Sequence, residues 1–393
     1  PALAADARLP DNLQLAGLRH PKCRGVLAVT NDEQANLAIA IAVRLLNPNV
    51  PVIARAEQAA VAANMASFGT DHIINPYERF ADRLGLAVAA PERFRLIELL
   101  TSLPETPLPE AHRPPRGHWI LCGYGRFGHA VASRLRDSGI TLTIIDPTAG
   151  DADRDIVGDG TEAKTLLQAG IERAKGIVAG GNNDVNNLSI AVTANEINPA
   201  LFVVARQNQA ANSALFAAYG ADFTVLPSRI IAQECIAILT APLLARLLDR
   251  INQLDETNCS QLAQRLQEAC GGLTPAIWDI RLNAAEAPAV WQALLHERKI
   301  FLGELLPSGA DRSQRLPAVP LLVERGRDYV LLPADDFRLE AGDQLLFASP
   351  LATQRSLELT LKNANELNYV LSGDEHSGSL LGRLLAAKQA ARG

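Results

Sequence analysis

The segment from His118 to Pro147 leaves the chain few options. It reads HWILCGYGRFGHAVASRLRDSGITLTIIDP: an apolar run from Trp119 to Cys122, the turn Gly123-x-Gly125-x-x-Gly128, a helical pattern to about Ser138, and a second apolar run, Leu142 to Ile145, ending on Asp146. Strand, glycine turn, helix, strand and acid, in that order, open a dinucleotide-binding unit. A glycine triplet alone is weak evidence. Its flanks give it weight, above all the acid eighteen positions beyond Gly128, where the second strand ends. Gly123 suits the tight turn, Gly125 lets backbone approach a pyrophosphate, and Gly128 lets the helix pack closely on the strand. Free amides at the helix start, with the positive end of the helix dipole, then favour phosphate. Asp146 would accept from the adenosine ribose hydroxyls, at about 1.5–3 kcal/mol per charge-assisted bond. The same carboxylate repels a 2′-phosphate, so the expected ligand is NAD(H) or an adenine nucleotide (ADP, ATP or AMP) rather than NADP.

A repeat organises the rest. Residues 25–81 lie over 176–232 at an offset of 151 without a gap, pairing Asn31 with Asn182, Asn36 with Asn187, Asn47 with Asn198, Arg55 with Arg206, Asp71 with Asp222 and Pro76 with Pro227. The match extends backwards at an offset of 153, where Leu15 to Leu18 meets Gln168 to Ile171. In the second copy the repeat predicts strands at 176–179, 201–205 and 222–225 and helices at 184–196 and 208–219. Short apolar strands alternating with helices mean a parallel sheet covered on both faces. A third strand is expected at 155–157. The first copy begins at Pro1 where its own third strand should be ending, so about forty residues resembling 118–159 are expected ahead of Pro1. Without them, a hydrophobic sheet edge would stand open.

The expected organisation is a partial first domain at 1–101, a proline-rich linker at 102–116, a complete second domain at 117–255, a small module at 256–350, and a helix with a tail at 351–393. Helices on either side of Pro91 should follow the first repeat, and a helix buried on more than one side should run through 227–251. Around a short helix at 288–296, the segments AIWDIRLN, KIFLGELL, VPLLVERG, DYVLLP and GDQLLFAS read as a small α+β module. The tail SGDEHSGSLLGRLLAAKQAARG reads as loosely held. The fold class is therefore α/β, with Rossmann-like doubly wound parallel sheets in tandem, plus a small α+β C-terminal subdomain.

Bulk properties exclude some functions. A net charge of −6 argues against nucleic acid as a partner. Five scattered cysteines without a C-x-x-C pair read as reduced core thiols of a cytoplasmic protein. No eighteen-residue apolar run is present; the nearest, Ile230 to Leu248, is interrupted by Gln233, Glu234, Pro242 and Arg246. Beyond the glycine loop (Gly123, Tyr124, Gly125, Arg126, Phe127, Gly128) and Asp146 with Pro147, the candidate ligand contacts are Asp159, Gly160 and Thr161 after the third strand, Gly180 and Asn182 after the fourth, and Arg206 after the fifth, all at the carboxyl edge where such sheets bind ligands. Arg206 suits bidentate phosphate binding, with an ion pair inside the sheet as the competing reading. Asp159 or Thr161 could equally cap the next helix, as Asn183 and Asp184 could the one after Asn182. The aspartates at 151, 153 and 155 read as a solvated turn, and a divalent cation is left unassigned. No Tyr-x-x-x-Lys pair, G-x-S-x-G elbow or P-loop occurs, and no histidine shows metal-ligand spacing, so no catalytic group can be named.

GYGRFG followed by IIDP, GDGTE, N-x-x-N-L and VAR resembles the RCK (regulator of potassium conductance, or Trk-type NAD-binding) domain, and FRLEAGDQLLFAS is similar to the small subdomain that follows it. The resemblance implies a non-catalytic, cytoplasmic ligand sensor at the inner face of the membrane. Such sensors pair through their crossover helices into a homo-oligomeric ring, a tetramer of tandem domains, which acts on a pore that is fused upstream or carried by a separate subunit. Only about thirty residues separate the copies, so the first lacks a C-terminal subdomain. That favours a ligand-gated channel over a soluble subunit of a Trk- or Kef-type transporter, which stays open as the alternative, as does an NAD-dependent oxidoreductase.

Overall fold

In a computed structural model the described residues are 2–108, 113–148 and 155–373. They form two compact units, Pro1–Phe94 with Ala111–Cys235, and Arg95–Glu110 with Ile236–Gly393.

Both repeats lie in the first unit. The first supplies α1 (Pro10–Leu15), β1 (Val26–Ala28), α2 (Glu33–Leu46), β2 (Val52–Arg55), α3 (Ala59–Ser67), β3 (His72–Ile74) and α4 (Pro76–Ala89), followed by α5 (Pro91–Thr101). Its three strands form a parallel sheet in the order β1-β2-β3. The second supplies β4 (His118–Cys122), α6 (Arg126–Asp137), β5 (Thr141–Asp146), β6 (Ile156–Val157), α7 (Ala163–Gln168), β7 (Gly176–Ala179), α8 (Asp184–Ile197), β8 (Phe202–Arg206), α9 (Ser213–Tyr219), β9 (Phe223–Val225) and α10 (Pro227–Thr240). Its six parallel strands run β6-β5-β4-β7-β8-β9, the doubly wound order with the switch point between β4 and β7. The segment expected as a helix at 208–219 starts with a 3-10 turn at Ala210–Asn212 before α9.

The offset of 153 is visible in space. α1 stands to α7 as that offset requires, and Asn47 donates to the Leu18 carbonyl (2.8 Å) just as Asn198 donates to that of Ile171 (2.9 Å). The offset of 151 also outlasts the matching residues. Ala90, with φ −145° and ψ 74°, breaks the chain before Pro91, and Ala241, with φ −144° and ψ 78°, breaks it before Pro242. The expected single helix over 227–251 is therefore two, α10 and α11 (Pro242–Ile251). Proline disfavours the helical region for the residue before it and brings no N–H of its own, which ends one helix and starts the next.

α4 shows why the two copies fold together. Asn75 caps it by accepting from the amides of Tyr77 and Glu78, and Pro76 takes the first-turn position that needs no N–H. Tyr77, Phe80, Ala81, Leu84 and Val88 then fall on one face and are buried against Trp119, Phe127, Val131 and Leu135 of the second copy. Phe80 stacks on Phe127 with ring centres 5.7 Å apart, and the Tyr77 ring meets Phe127 edge-on at 5.9 Å. A helix of the first copy thus closes the face of the second copy's sheet that carries α6.

The second unit holds α11, α12 (Glu256–Cys270), β10 (Ala276–Arg281), α13 (Pro288–Leu295), β11 (Val319–Arg325), β12 (Asp328–Leu331), β13 (Gln344–Ser349), α14 (Leu351–Lys362) and α15 (Ala364–Ser372). Its four strands form an antiparallel sheet in the order β10-β13-β11-β12. Within the module KIFLGELL makes a 3-10 turn at Leu302–Leu305, its start held by the Phe301 amide donating to Glu304 (2.9 Å). Most of the tail expected to be loosely held, from 374 onward, lies outside the described residues. Among the described residues no helix is long and apolar enough to cross a membrane.

Candidate nucleotide site

Each glycine of the loop meets a distinct steric demand. Gly123 turns at φ +96°, in the left-handed region that other residues avoid. A Cβ on Gly128 would stand 2.1 Å from the Gly123 carbonyl oxygen, so only hydrogen lets α6 come this close to the turn that precedes it. A Cβ on Gly125 would meet nothing within 4 Å. That glycine faces open space at the start of α6, where Gly125 is the N-cap and no side chain caps the helix. Orphan helix amides beside an unobstructed backbone are the physical requirement for a phosphate cradle.

Asp146 stands at the end of β5, next to this loop. Its Oδ2 accepts from the Tyr124 amide (2.6 Å) and its Oδ1 from the Thr148 amide (2.8 Å), so the carboxylate ties the glycine turn to the end of the second strand. Pro147 follows on the surface. The side chains of Tyr124 and Phe127 point the other way. Both are buried, Tyr124 against the His129 ring (centres 3.8 Å apart) and Phe127 in the core beneath α4. What they offer at the open side is backbone.

The remaining candidates divide between rim and interior. Asp159 is exposed and accepts from the Thr161 amide (2.9 Å). Neither Asp159 nor Thr161 is the N-cap of α7; that residue is Glu162, which makes no side-chain cap. Gly160 is buried, and a Cβ there would lie 2.8 Å from the sulfur of Cys122. Burial pushes that thiol up to about 12, which keeps it protonated and unreactive. Gly180 backs onto the Phe127 ring, and Asn182 is exposed. Asn183 caps α8 as expected, by accepting from the amides of Val185 and Asn186. Asp184 does something else. It is buried and accepts from the Asn208 and Gln209 amides and from the Asn208 and Asn212 side chains, fixing the loop after β8. Burial raises its carboxyl pKa, but these bonds outweigh burial and hold it below the ordinary value.

Arg206 is 7 % exposed, and its guanidinium is turned inward. It donates to the Tyr77 hydroxyl (3.0 Å) and, at 3.5 Å, to the Gly180 carbonyl, and it lies over the rings of Tyr77 and Phe127. Its Nε has no partner, and burial pulls its pKa down. Its twin Arg55 is paired with Glu57 and Asn31.

Residues not singled out from sequence complete the picture. Asn187 donates to the carbonyls of Gly181 (2.9 Å) and Arg206 (2.7 Å) and accepts from the Gly181 amide, stitching β7 to β8 at the carboxyl edge. Glu57 and Glu33 of the first copy reach Arg126 of the glycine loop, at 3.2 Å and 3.7 Å. Asp155 accepts from the Ile144 amide, while Asp151 and Asp153 lie outside the described residues. No cluster of three His, Cys, Asp or Glu side chains fit to hold a metal ion occurs among the described residues.

Comparison with known proteins agrees with this double arrangement. The TrkA-N domain family matches residues 1–76 and again residues 119–227. The chain carries tandem RCK-type TrkA-N domains. The second of these TrkA-N domains holds the glycine loop, and the first supplies the acids facing Arg126 and ends where α4 begins. Potassium channel protein 1 of Methanocaldococcus jannaschii is 32% identical over 134 residues, 32% of this chain and 40% of that protein. The Trk system potassium uptake protein TrkA homolog of Methanothermobacter thermautotrophicus is 28% identical over 33% of this chain and 63% of its own length. The chain thus spans less than two thirds of either relative. Among solved structures, the GsuK channel bound to NAD is 18% identical with a TM-score of 0.48, over 91% of this chain and 70% of that one.

Proposed function

We propose that this chain is the ligand-sensing part of a potassium channel, a non-catalytic module at the cytoplasmic face of the membrane. In this reading, NAD(H) or an adenine nucleotide binds at the second TrkA-N domain, and binding shifts a ring of such modules, a tetramer, between states that act on the pore. One observation carries the reading: a glycine turn opens onto an uncapped helix start with free space at Gly125, and Asp146 stands beside it at the end of β5. Gly123, Gly125 and Gly128 would shape the phosphate cradle, and Asp146 would receive the ribose hydroxyls. Asp159, Thr161 and Asn182 are rim positions within the same proposal.

The relative named a potassium channel supports the pore partner. So does the spacing, because the stretch between the two domains has no room for a C-terminal subdomain. The match to a Trk uptake component supports a second reading, a regulatory subunit of a transporter. Any bound ligand can bias such a ring only by its difference in affinity between states, about 1.4 kcal/mol for each tenfold shift.

Calorimetry with NAD⁺, NADH, ADP and ATP on the unmutated protein and on Asp146→Ala tests the nucleotide site. Binding should weaken about 10-fold or more in the variant, the loss of one charge-assisted bond. No binding by the unmutated protein sinks the nucleotide reading. Whether this chain is fused to a pore segment or copurifies with a separate pore subunit decides between channel and transporter.

A further inference from the structure

Arg126 is the residue of the glycine loop that reaches across to the other TrkA-N domain. It follows Gly125 directly, at the first position of α6, and its guanidinium lies 3.2 Å from Glu57 and 3.7 Å from Glu33 at the carboxyl edge of the first domain's sheet. The two acids are almost buried, with side chains 11% and 14% exposed, whereas Arg126 is 56% exposed. They also have other partners. Glu57 is paired with Arg55, and Glu33 accepts from the amides of Glu57 (2.9 Å) and Gln58 (3.1 Å) and from the Gln58 side chain. Among the described residues Arg126 makes no other ion pair. It is the most exposed member of the cluster, and when it leaves, Glu57 keeps Arg55 and Glu33 keeps its hydrogen bonds to Glu57 and Gln58.

We propose that Glu57 and Glu33 are a built-in competitor for Arg126, so that the first domain restrains the phosphate cradle of the second. The inference rests on the nucleotide reading above and adds its regulation. An anion bound at the uncapped start of α6 lies one residue from Arg126, within reach of a long, flexible side chain. A terminal phosphate monoester carries close to two negative charges at neutral pH, against one per phosphate in a dinucleotide's pyrophosphate, and so competes better with a carboxylate. Adenine nucleotides with a free terminal phosphate therefore draw Arg126 away from Glu57, and NAD(H) does so less. Binding is in this way coupled to the contact between the two domains, and Arg126 with Glu57 sets the preference among ligands.

A double-mutant cycle in ADP and NAD⁺ affinity tests this, using the whole chain, Glu57→Gln, Arg126→Ala and the double variant. Glu57→Gln should tighten ADP binding about threefold, the scale of one partly exposed ion pair, and should tighten NAD⁺ binding less. Arg126→Ala should weaken ADP binding, and in its background Glu57→Gln should change nothing. An equal threefold gain with or without Arg126 overturns the competition, as does an unchanged ADP affinity in Glu57→Gln. No ADP or NAD⁺ binding by any of the four proteins overturns the nucleotide reading instead. Glu57→Gln keeps a hydrogen-bonding side chain beside Arg55, and a melting temperature for each variant identifies any that fails to fold.

Discussion

The two TrkA-N domains of this chain share a polar skeleton and differ in charge. Asn36 bridges Thr30 and the Arg55 carbonyl as Asn187 bridges Gly181 and the Arg206 carbonyl. Asp71 accepts from the Val52 amide and Asp222 from the Val203 amide, each at 2.7 Å. Glu33 holds the amides of Glu57 and Gln58 where Asp184 holds those of Asn208 and Gln209. These contacts satisfy buried backbone groups, whose loss costs the same in either domain. At the carboxyl edge, by contrast, Glu57 pairs with Arg55 in the first domain, whereas Asn208 takes its place in the second, and among the described residues no carboxylate pairs with Arg206. The skeleton is what the fold needs, and the edge is where the domains became free to differ.

The largest test of this contrast is Gly128→Val. A side chain 2.1 Å from a carbonyl oxygen must displace α6 or the turn, and about 3 kcal/mol of stability in chemical denaturation should be lost, together with nucleotide binding. Next, Asn36→Ala and Asn187→Ala should each cost about 2 kcal/mol, because each strands several buried backbone groups. Unequal costs would break the claim that the skeleton is shared. Arg55→Met should cost about 2 kcal/mol by stripping a partner from an almost buried carboxylate. Arg206→Met should stay within about 1 kcal/mol of neutral, since an apolar chain can replace a buried, unpaired cation on the Tyr77 and Phe127 rings. A large loss in Arg206→Met would show that the arginine does more than pack.

The smallest effect is in pH. Bonds to Asp184 hold its folded pKa below the ordinary value of 3.8, and the Val52 amide and Arg44 do the same for Asp71, against burial in both cases. A depressed carboxylate pKa adds stability above the unfolded value, and that stability is lost as pH falls through the folded one. The melting-temperature difference between the protein and Asp184→Asn should therefore shrink between about pH 5 and pH 2. A difference that persists at acid pH would mean the loop after β8 is held by shape and not by the charge.

Much of the second domain was legible. The glycine triplet, the acid at 146 and the alternation of short apolar runs placed β4, α6, β5, β7 and α8, since strand and helix periods are local properties of the chain. The offset of 151 even carried the break at Pro242, which was misread as one helix because the apolar stripe continues across it. KIFLGELL was placed only within the α+β module, as an apolar run of that length does not separate a strand from a turn. Within the site, the steric demands at Gly123 and Gly128 were readable because each arises within a few residues of the chain.

Sequence alone determined the repeat, the doubly wound topology and the position of the glycine turn, since all three arise from local pattern and from comparing the chain with itself. Tertiary structure decided the rest. That α4 of one copy would roof the sheet of the other, that Arg206 would turn inward onto Tyr77, and that Arg126 would meet Glu57 and Glu33 all depend on how the two copies face each other across their shared core. The exchange of Glu57 for Asn208 is visible in the repeat, but its consequence is not, because the energy of a charge is set by the groups within a few ångströms of it and not by its neighbours along the chain.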